Sequence, residues 1–182
     1  MSRMLDNYRK EILPALRKHF AIDNIMAVPR ITKIVVNTGT GRVAKEEKLI
    51  ERIEKDLAVI TGQKPAVRKA RKSVASFKLR EGWPVGYAVT LRGKRMYDFL
   101  DRLVALALPR SKDFRGIALS SVDQAGNLNI GIKEHNIFPE VHIDTLKDIF
   151  GLQVTVVTNA GTRERGIELF RRLGVPLVKD EA

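Results

Sequence analysis

The 182-residue chain contains no cysteine, which excludes a disulfide scaffold, a thiol nucleophile and any thiolate metal site. It also lacks a run of about 18 apolar residues, the length a helix needs to cross a bilayer. The opening Met1-Ser2-Arg3-Met4-Leu5-Asp6 has no apolar core of the kind a signal peptide carries. A cytoplasmic protein without a membrane partner is therefore expected. Aromatic residues make up only 6% of the chain, too few for ring stacking to be the main mode of any nucleic-acid contact. Acidic residues are scarce as well: 21 Asp and Glu face 33 Lys and Arg, a net charge of +12.

A globular chain this basic is built to meet a polyanion. The distribution sharpens the point, because no acidic residue occurs from Leu57 to Arg80, where Lys64, Arg68, Lys69, Arg71, Lys72, Lys78 and Arg80 all fall. A merely solvated face would have Glu and Asp interspersed, as the first helix does. The run therefore reads as a nucleic-acid surface acting chiefly on phosphates. With 44% hydrophobic and 30% charged residues, the chain suits a single folded domain over residues 1–182.

Along the chain, Leu5, Tyr8, Ile12, Leu16 and Phe20 form one helical stripe from Met4 to Phe20, expected to bend at Pro14. The β-branched stretch Ile31 to Asn37 reads as a strand, with Thr32, Ile34 and Val36 on one face and Lys33, Val35 and Asn37 on the other. A helix follows from about Lys45 to Ile60 and closes at Gly62. Val74–Leu79 and Val85–Arg92 read as two strands joined through Arg80-Glu81-Gly82-Trp83-Pro84. Gly93 opens an apolar helix that Pro109 stops, and Asp123 to Asn127 reads as a hairpin turn. Two further strands (Leu128–Ile132, Leu152–Thr158) precede a last helix, which Thr162 caps and Gly174 with Pro176 ends. This order predicts an α+β fold: a single, largely antiparallel or mixed sheet with helices mainly on one face. The open face, carrying Lys33, Asn37, Thr90 and Arg92, would bind RNA.

Three constellations compete with that reading. Gly39-Thr40-Gly41-Arg42-Val43-Ala44 lies between a strand and a helix, where a dinucleotide-binding loop would sit and where a nucleotide-dependent enzyme is the alternative function. Such a loop needs an acidic ribose partner about 20 residues on, and this chain offers Gln63, Lys64, Arg68 and Lys69 there. A glycine-permitted tight turn is the better reading. His135 and His142 with Glu134, Glu140 and Asp144 could be imagined as a metal or acid–base cluster, yet ligand spacing and a nucleophile are both missing. Ordinary loop charges, or an acidic patch for a basic protein, suit them better. Trp83 and Phe77 are expected to fill local hydrophobic gaps rather than stack on bases.

Ile60-Thr61-Gly62-Gln63-Lys64-Pro65, then Lys69-Ala70-Arg71-Lys72-Ser73-Val74-Ala75, closely resembles the signature of the bacterial large-subunit ribosomal protein family number five. The likeness continues through Val89-Thr90-Leu91-Arg92-Gly93, Ala107-Leu108-Pro109-Arg110, Asp113-Phe114-Arg115-Gly116 and Phe138-Pro139-Glu140. It reaches from the first helix to Phe170. Arg68 departs from the family's usual hydroxyl residue, Lys112 from its arginine, and Thr38 and Thr40 from its aliphatic loop residues. Backbone contacts of that loop are thus the safer inference.

The resemblance implies a structural protein of the large ribosomal subunit that binds 5S rRNA and large-subunit rRNA in the central protuberance. The implied rRNA-binding residues are Lys33, Asn37, Thr38, Gly39, Gln63, Lys64, Thr90 and Arg92. A basic hairpin at about 71–83 would reach the P-site tRNA through Arg71, Lys72, Ser73, Lys78 and Arg80. Arg110, Lys112, Asp113, Glu134 and Glu140 would form a bridge to small-subunit ribosomal protein thirteen. No catalytic residue, cofactor, metal or small-molecule substrate is implied.

Overall fold

A computed structural model describes residues 3–41, 47–77, 79–112, 114–141 and 149–178, without the side chains of Glu47 and Lys48. Its best-marked strand is β1 (Ile31–Gly39), because the β-branched residues alternate. Ile34, Val36 and Thr38 are buried, Asn37 is exposed, and Lys33 and Val35 are half-buried. The others are β2 (Ala66–Lys69), β3 (Pro84–Leu91), β4 (Ile117–Ala118), β5 (Leu128–Ile132), β6 (Leu152–Thr158) and β7 (Leu177–Val178). Five of them form a mostly antiparallel sheet in the order β2-β3-β1-β6-β5, while β4 pairs with β7 in parallel. Residues Tyr87, Val89 and Leu91 of β3, Leu128, Ile130 and Ile132 of β5, and Leu152, Val154 and Val156 of β6 are all buried. Period-two burial in β5 and β6 marks strands covered on one face, whereas Gly86 to Val89 of β3 are buried without a break. With the helices below, this is the expected α+β class.

The chain divides into two compact units, one of Met1–Val35, Leu91–Ile130 and Val154–Ala182, the other of Val36–Thr90 and Gly131–Gln153. In the first, α1 (Arg3–Asn7) and α2 (Leu13–His19) are joined by a π-helical turn, Tyr8–Ile12. The bend expected at Pro14 is therefore a widened turn just before it. Pro14 lacks an N–H, and its ring would press on the Lys10 carbonyl in a regular helix; the π turn relieves both. The apolar stripe of Tyr8, Ile12 and Leu16 is buried. α1 packs on α4 (Gly93–Arg102), pinned by a 2.7 Å ion pair from Arg3 to Asp101 and by the Tyr8 and Tyr97 rings, 6.2 Å apart.

That second helix continues through a π turn, Leu103–Ala107, into a 3-10 turn, Leu108–Arg110. Pro109, expected to stop the helix, thus lies inside its last turn, because a proline early in a new turn has no N–H to satisfy. The expected turn at Asp123 is present: its carboxylate accepts both the backbone N–H (2.8 Å) and the side-chain amide (2.9 Å) of Asn127. An isolated antiparallel bridge, Val122 to Leu128, flanks it. α5 (Arg163–Arg172) begins as expected, with the Thr162 hydroxyl accepting the Arg165 N–H at 3.5 Å.

The second unit carries α3 (Glu47–Thr61), whose Ile53, Leu57 and Ile60 are buried. Gly62 ends it at φ +70°, a left-handed conformation that glycine takes without strain. Two expectations fail nearby. Val74–Leu79 is not a strand but a single antiparallel bridge, Val74 to Leu79, around a 3-10 turn, Ala75–Phe77. On its outer side β3 pairs with β2, a strand the sequence does not announce, with Ala66 opposite Ala88, Val67 opposite Tyr87 and Arg68 opposite Gly86. All four β2 residues are exposed, so no apolar alternation announces the strand; basic residues are the usual dressing of a sheet edge.

Candidate nucleic-acid interface

Gly86 shows how closely the strands of the second unit approach. A Cβ on it would lie 2.6 Å from the Thr38 carbonyl oxygen, so only glycine fits there. Beyond it, the Thr40 N–H donates to the Val85 carbonyl at 3.0 Å. The end of β1 is thus held by backbone, and its side chains sort by face. Asn37 is exposed, whereas Thr38 is buried and donates its hydroxyl to the Gly151 carbonyl at 2.7 Å. The side chain of Thr38 is turned inward and committed. Gly39 is exposed, and nothing lies within 4 Å of a Cβ placed on it. Among the described residues, no steric demand requires glycine at that position.

At the far end of α3, the Thr61 hydroxyl donates to the Leu57 carbonyl at 2.6 Å, and Gly62 turns the chain. That turn aims Gln63 at β3, where its side-chain amide donates to the Thr90 carbonyl at 2.9 Å. Gln63 and Thr90, predicted separately, are therefore neighbours, and the Thr90 side chain is exposed. Lys64 stands 86% exposed, with its ammonium 3.8 Å from Glu54. A loose surface pair of this sort is weak and gives way readily to a phosphate. β2 then presents Arg68 and Lys69 to solvent. Lys33 and Arg92 belong to the first unit, half-buried and exposed respectively.

The basic excursion leaves β2 at Ala70, whose N–H donates to the Trp83 carbonyl at 2.8 Å. Arg71, Lys72, Ser73 and Arg80 are all exposed, and the Ser73 hydroxyl accepts the Glu81 N–H at 3.0 Å. Lys78 lies outside the described residues. The two aromatics depart from expectation: Phe77 is 75% and Trp83 43% exposed, so neither fills a core gap. The segment is too short and polar to cover them. The Arg80 guanidinium lies 5.9 Å from the centre of the Trp83 ring, in cation–π range.

Of the expected bridge residues, Arg110 and Lys112 are exposed in the first unit, and Asp113 lies outside the described residues. Glu134 and Glu140 are half-buried in the second unit, where Glu134 accepts the Asn136 side-chain amide at 2.9 Å. His142 and Asp144 also lie outside the description. His135 is 1% exposed and holds a structural position. Its Nδ1 accepts the Phe150 N–H at 3.3 Å, its Nε2 faces the Asp56 carboxylate at 3.4 Å, and its ring stacks on Phe150 with centroids 3.9 Å apart. Burial holds the imidazole below its ordinary pKa, against the pull of Asp56. Asp56 lies far earlier in the chain, and no local pattern marks it as the partner.

The glycine motif loses its enzymatic context too, since α3 leads to a strand paired antiparallel with β3, not to a parallel strand beside β1. Arg42 to Ala44 lie outside the described residues. An α+β scaffold that shows solvent a basic edge, polar strand ends and a cationic loop has the surface of an RNA-binding protein.

Comparison with known proteins gives the particular family. Residues 24–80 match the family described as "Ribosomal protein L5", and residues 84–177 match the "ribosomal L5P family C-terminus". The chain is 51% identical over 176 residues to the large ribosomal subunit protein uL5 of Halothermothrix orenii, covering 97% of this chain and 98% of that one. It is 52% identical over 176 residues to uL5 of Rubrobacter xylanophilus, with the same coverage. To uL5 of Chloroflexus aggregans it is 53% identical over 174 residues, covering 96% and 97%. The chain belongs to the uL5 family of ribosomal proteins. It is a structural, rRNA-associated constituent of the large subunit of the cytoplasmic ribosome, and not an enzyme.

Proposed function

We propose that the chain acts as a single rRNA-binding domain that attaches 5S rRNA in the central protuberance. Asn37, Gln63 and Thr90 fix the geometry, and Lys33, Lys64 and Arg92 supply charge; Thr38 and Gly39 contribute through their backbone. The observation that carries this reading is the exposure of the acid-free segment. From Lys64 through Phe77, every described cation stands in solvent, and Gln63 at the start of that run is joined to Thr90 of β3. Phosphates reward such charge, while neutral amides and hydroxyls set register.

The same reading gives the excursion at 71–83 to P-site tRNA, through Arg71, Lys72, Ser73, Lys78 and Arg80. It gives Arg110, Lys112, Asp113, Glu134 and Glu140 to a contact with small-subunit ribosomal protein thirteen. Its support is the family resemblance together with the solvent exposure of Arg71, Lys72, Arg80, Arg110 and Lys112. The test is to replace residues 74–79 by a short glycine–serine turn. Binding of 5S rRNA should persist while P-site tRNA retention on assembled ribosomes weakens. Loss of 5S rRNA binding instead would assign the loop to the rRNA surface.

A further inference from the structure

We propose that Phe77 is a stacking platform for an unpaired nucleobase, so that the 71–83 loop distinguishes RNA with splayed bases from uniform duplex. The inference rests on the reading of that loop as an RNA contact, and it adds how the contact selects its RNA. Phe77 is 75% exposed at the turn closed by the Val74–Leu79 bridge. A lone exposed phenylalanine decides nothing by itself; the charge of the loop that carries it states what it can meet. Arg71, Lys72 and Arg80 are exposed cations on the same excursion, which favours an anionic occupant over an apolar peptide or a lipid tail.

An exposed ring carried on a cationic loop is the combination that single-stranded nucleic acid recognises: every base offers a π face, and each phosphate meets a charge. Trp83 makes a second, stem-side element. The Trp83 carbonyl is held by Ala70 and its ring, 43% exposed, lies against the Arg80 guanidinium. Duplex RNA keeps its bases stacked inside and cannot use Phe77, although it can satisfy the cations. Charge therefore supplies affinity for either RNA, and Phe77 supplies the difference between them.

Trp83 is the only tryptophan in the chain, so its fluorescence reports on the loop. The full chain would be titrated with a stem–loop RNA bearing an unpaired loop and with a blunt RNA duplex of equal phosphate count. The stem–loop should bind more tightly by a factor of about 5 to 150, the range of one stacked base, and should quench Trp83. Phe77→Ala removes no buried packing and should leave the melting temperature unchanged. It should lower stem–loop affinity to the duplex level with the salt dependence intact. Equal affinity of the wild-type chain for both RNAs, with Trp83 emission responding to both, would overturn the stacking role while sparing the loop as an RNA contact. Equal loss of both affinities in Phe77→Ala would do the same. A Trp83 signal indifferent to either RNA, with Phe77→Ala silent, would overturn the underlying reading of the loop itself.

Discussion

His135 should make the protein less stable in mild acid, and His135→Gln should remove that dependence. The imidazole is almost wholly enclosed, stacked on Phe150 and accepting a backbone N–H at Nδ1. Nδ1 can accept that hydrogen bond only while unprotonated. Burial keeps the folded-state pKa below its ordinary value of 6.5, although the Asp56 charge works in the opposite direction. In the unfolded chain the same group titrates near 6.5. Between the folded pKa and 6.5 the unfolded state therefore binds more protons, so stability rises with pH. The contribution is complete above about pH 6.5 and is lost as pH falls through the window toward the folded pKa. One proton sets a ceiling of about 1.4 kcal/mol per pH unit, and the unfolded imidazole gains its proton only around pH 6.5, so the loss from pH 7.5 to 5.5 is on the order of 1 kcal/mol at most. Urea unfolding of wild type and His135→Gln at pH 7.5, 6.5 and 5.5 (about one unit apart, to follow the slope) measures it by difference. Identical slopes in the two proteins, or wild-type stability that increases on acidification, would refute the assignment.

Gly86→Ala should destabilise the fold by about 1–3 kcal/mol, because the added methyl would lie 2.6 Å from a backbone oxygen that has no room to retreat; chemical denaturation checks it. Binding of RNA should weaken strongly with salt: if about six phosphates are neutralised, the log–log slope is roughly −5. Filter binding over a salt series measures that slope, and a nearly flat response would mean that hydrogen bonds and shape dominate.

Elements with a buried face were legible in the sequence. The alternation in β1 and the helical spacing of Ile53, Leu57 and Ile60 follow directly from which side chains leave water. β2 was not, since Ala66, Val67, Arg68 and Lys69 are all exposed and the strand exists only through its pairing with β3. β4 and β7, two residues each, depend wholly on a pairing between distant segments. The exposure of Phe77 and Trp83 is hidden from the sequence because apolarity usually implies burial, and nothing local says that a loop is too small to provide it. Asn37 was readable as an outward residue from its place in the alternation. Thr38 as a committed hydrogen-bond donor was not, because its acceptor is Gly151, 113 residues away. His135 and Asp56 met the same obstacle.

The attachment of 5S rRNA through the polar residues of the second unit is tested most directly by the affinity of Asn37→Ala for 5S rRNA, with its melting temperature measured in parallel. Asn37 is exposed on β1, so its side chain carries no packing and the fold should melt where the wild type does. The expected result is weaker 5S rRNA binding at an unchanged melting temperature. Wild-type affinity in the variant would remove Asn37 from the interface, and a wild-type chain that binds 5S rRNA no better than an unrelated RNA of equal length would contradict the proposed attachment outright.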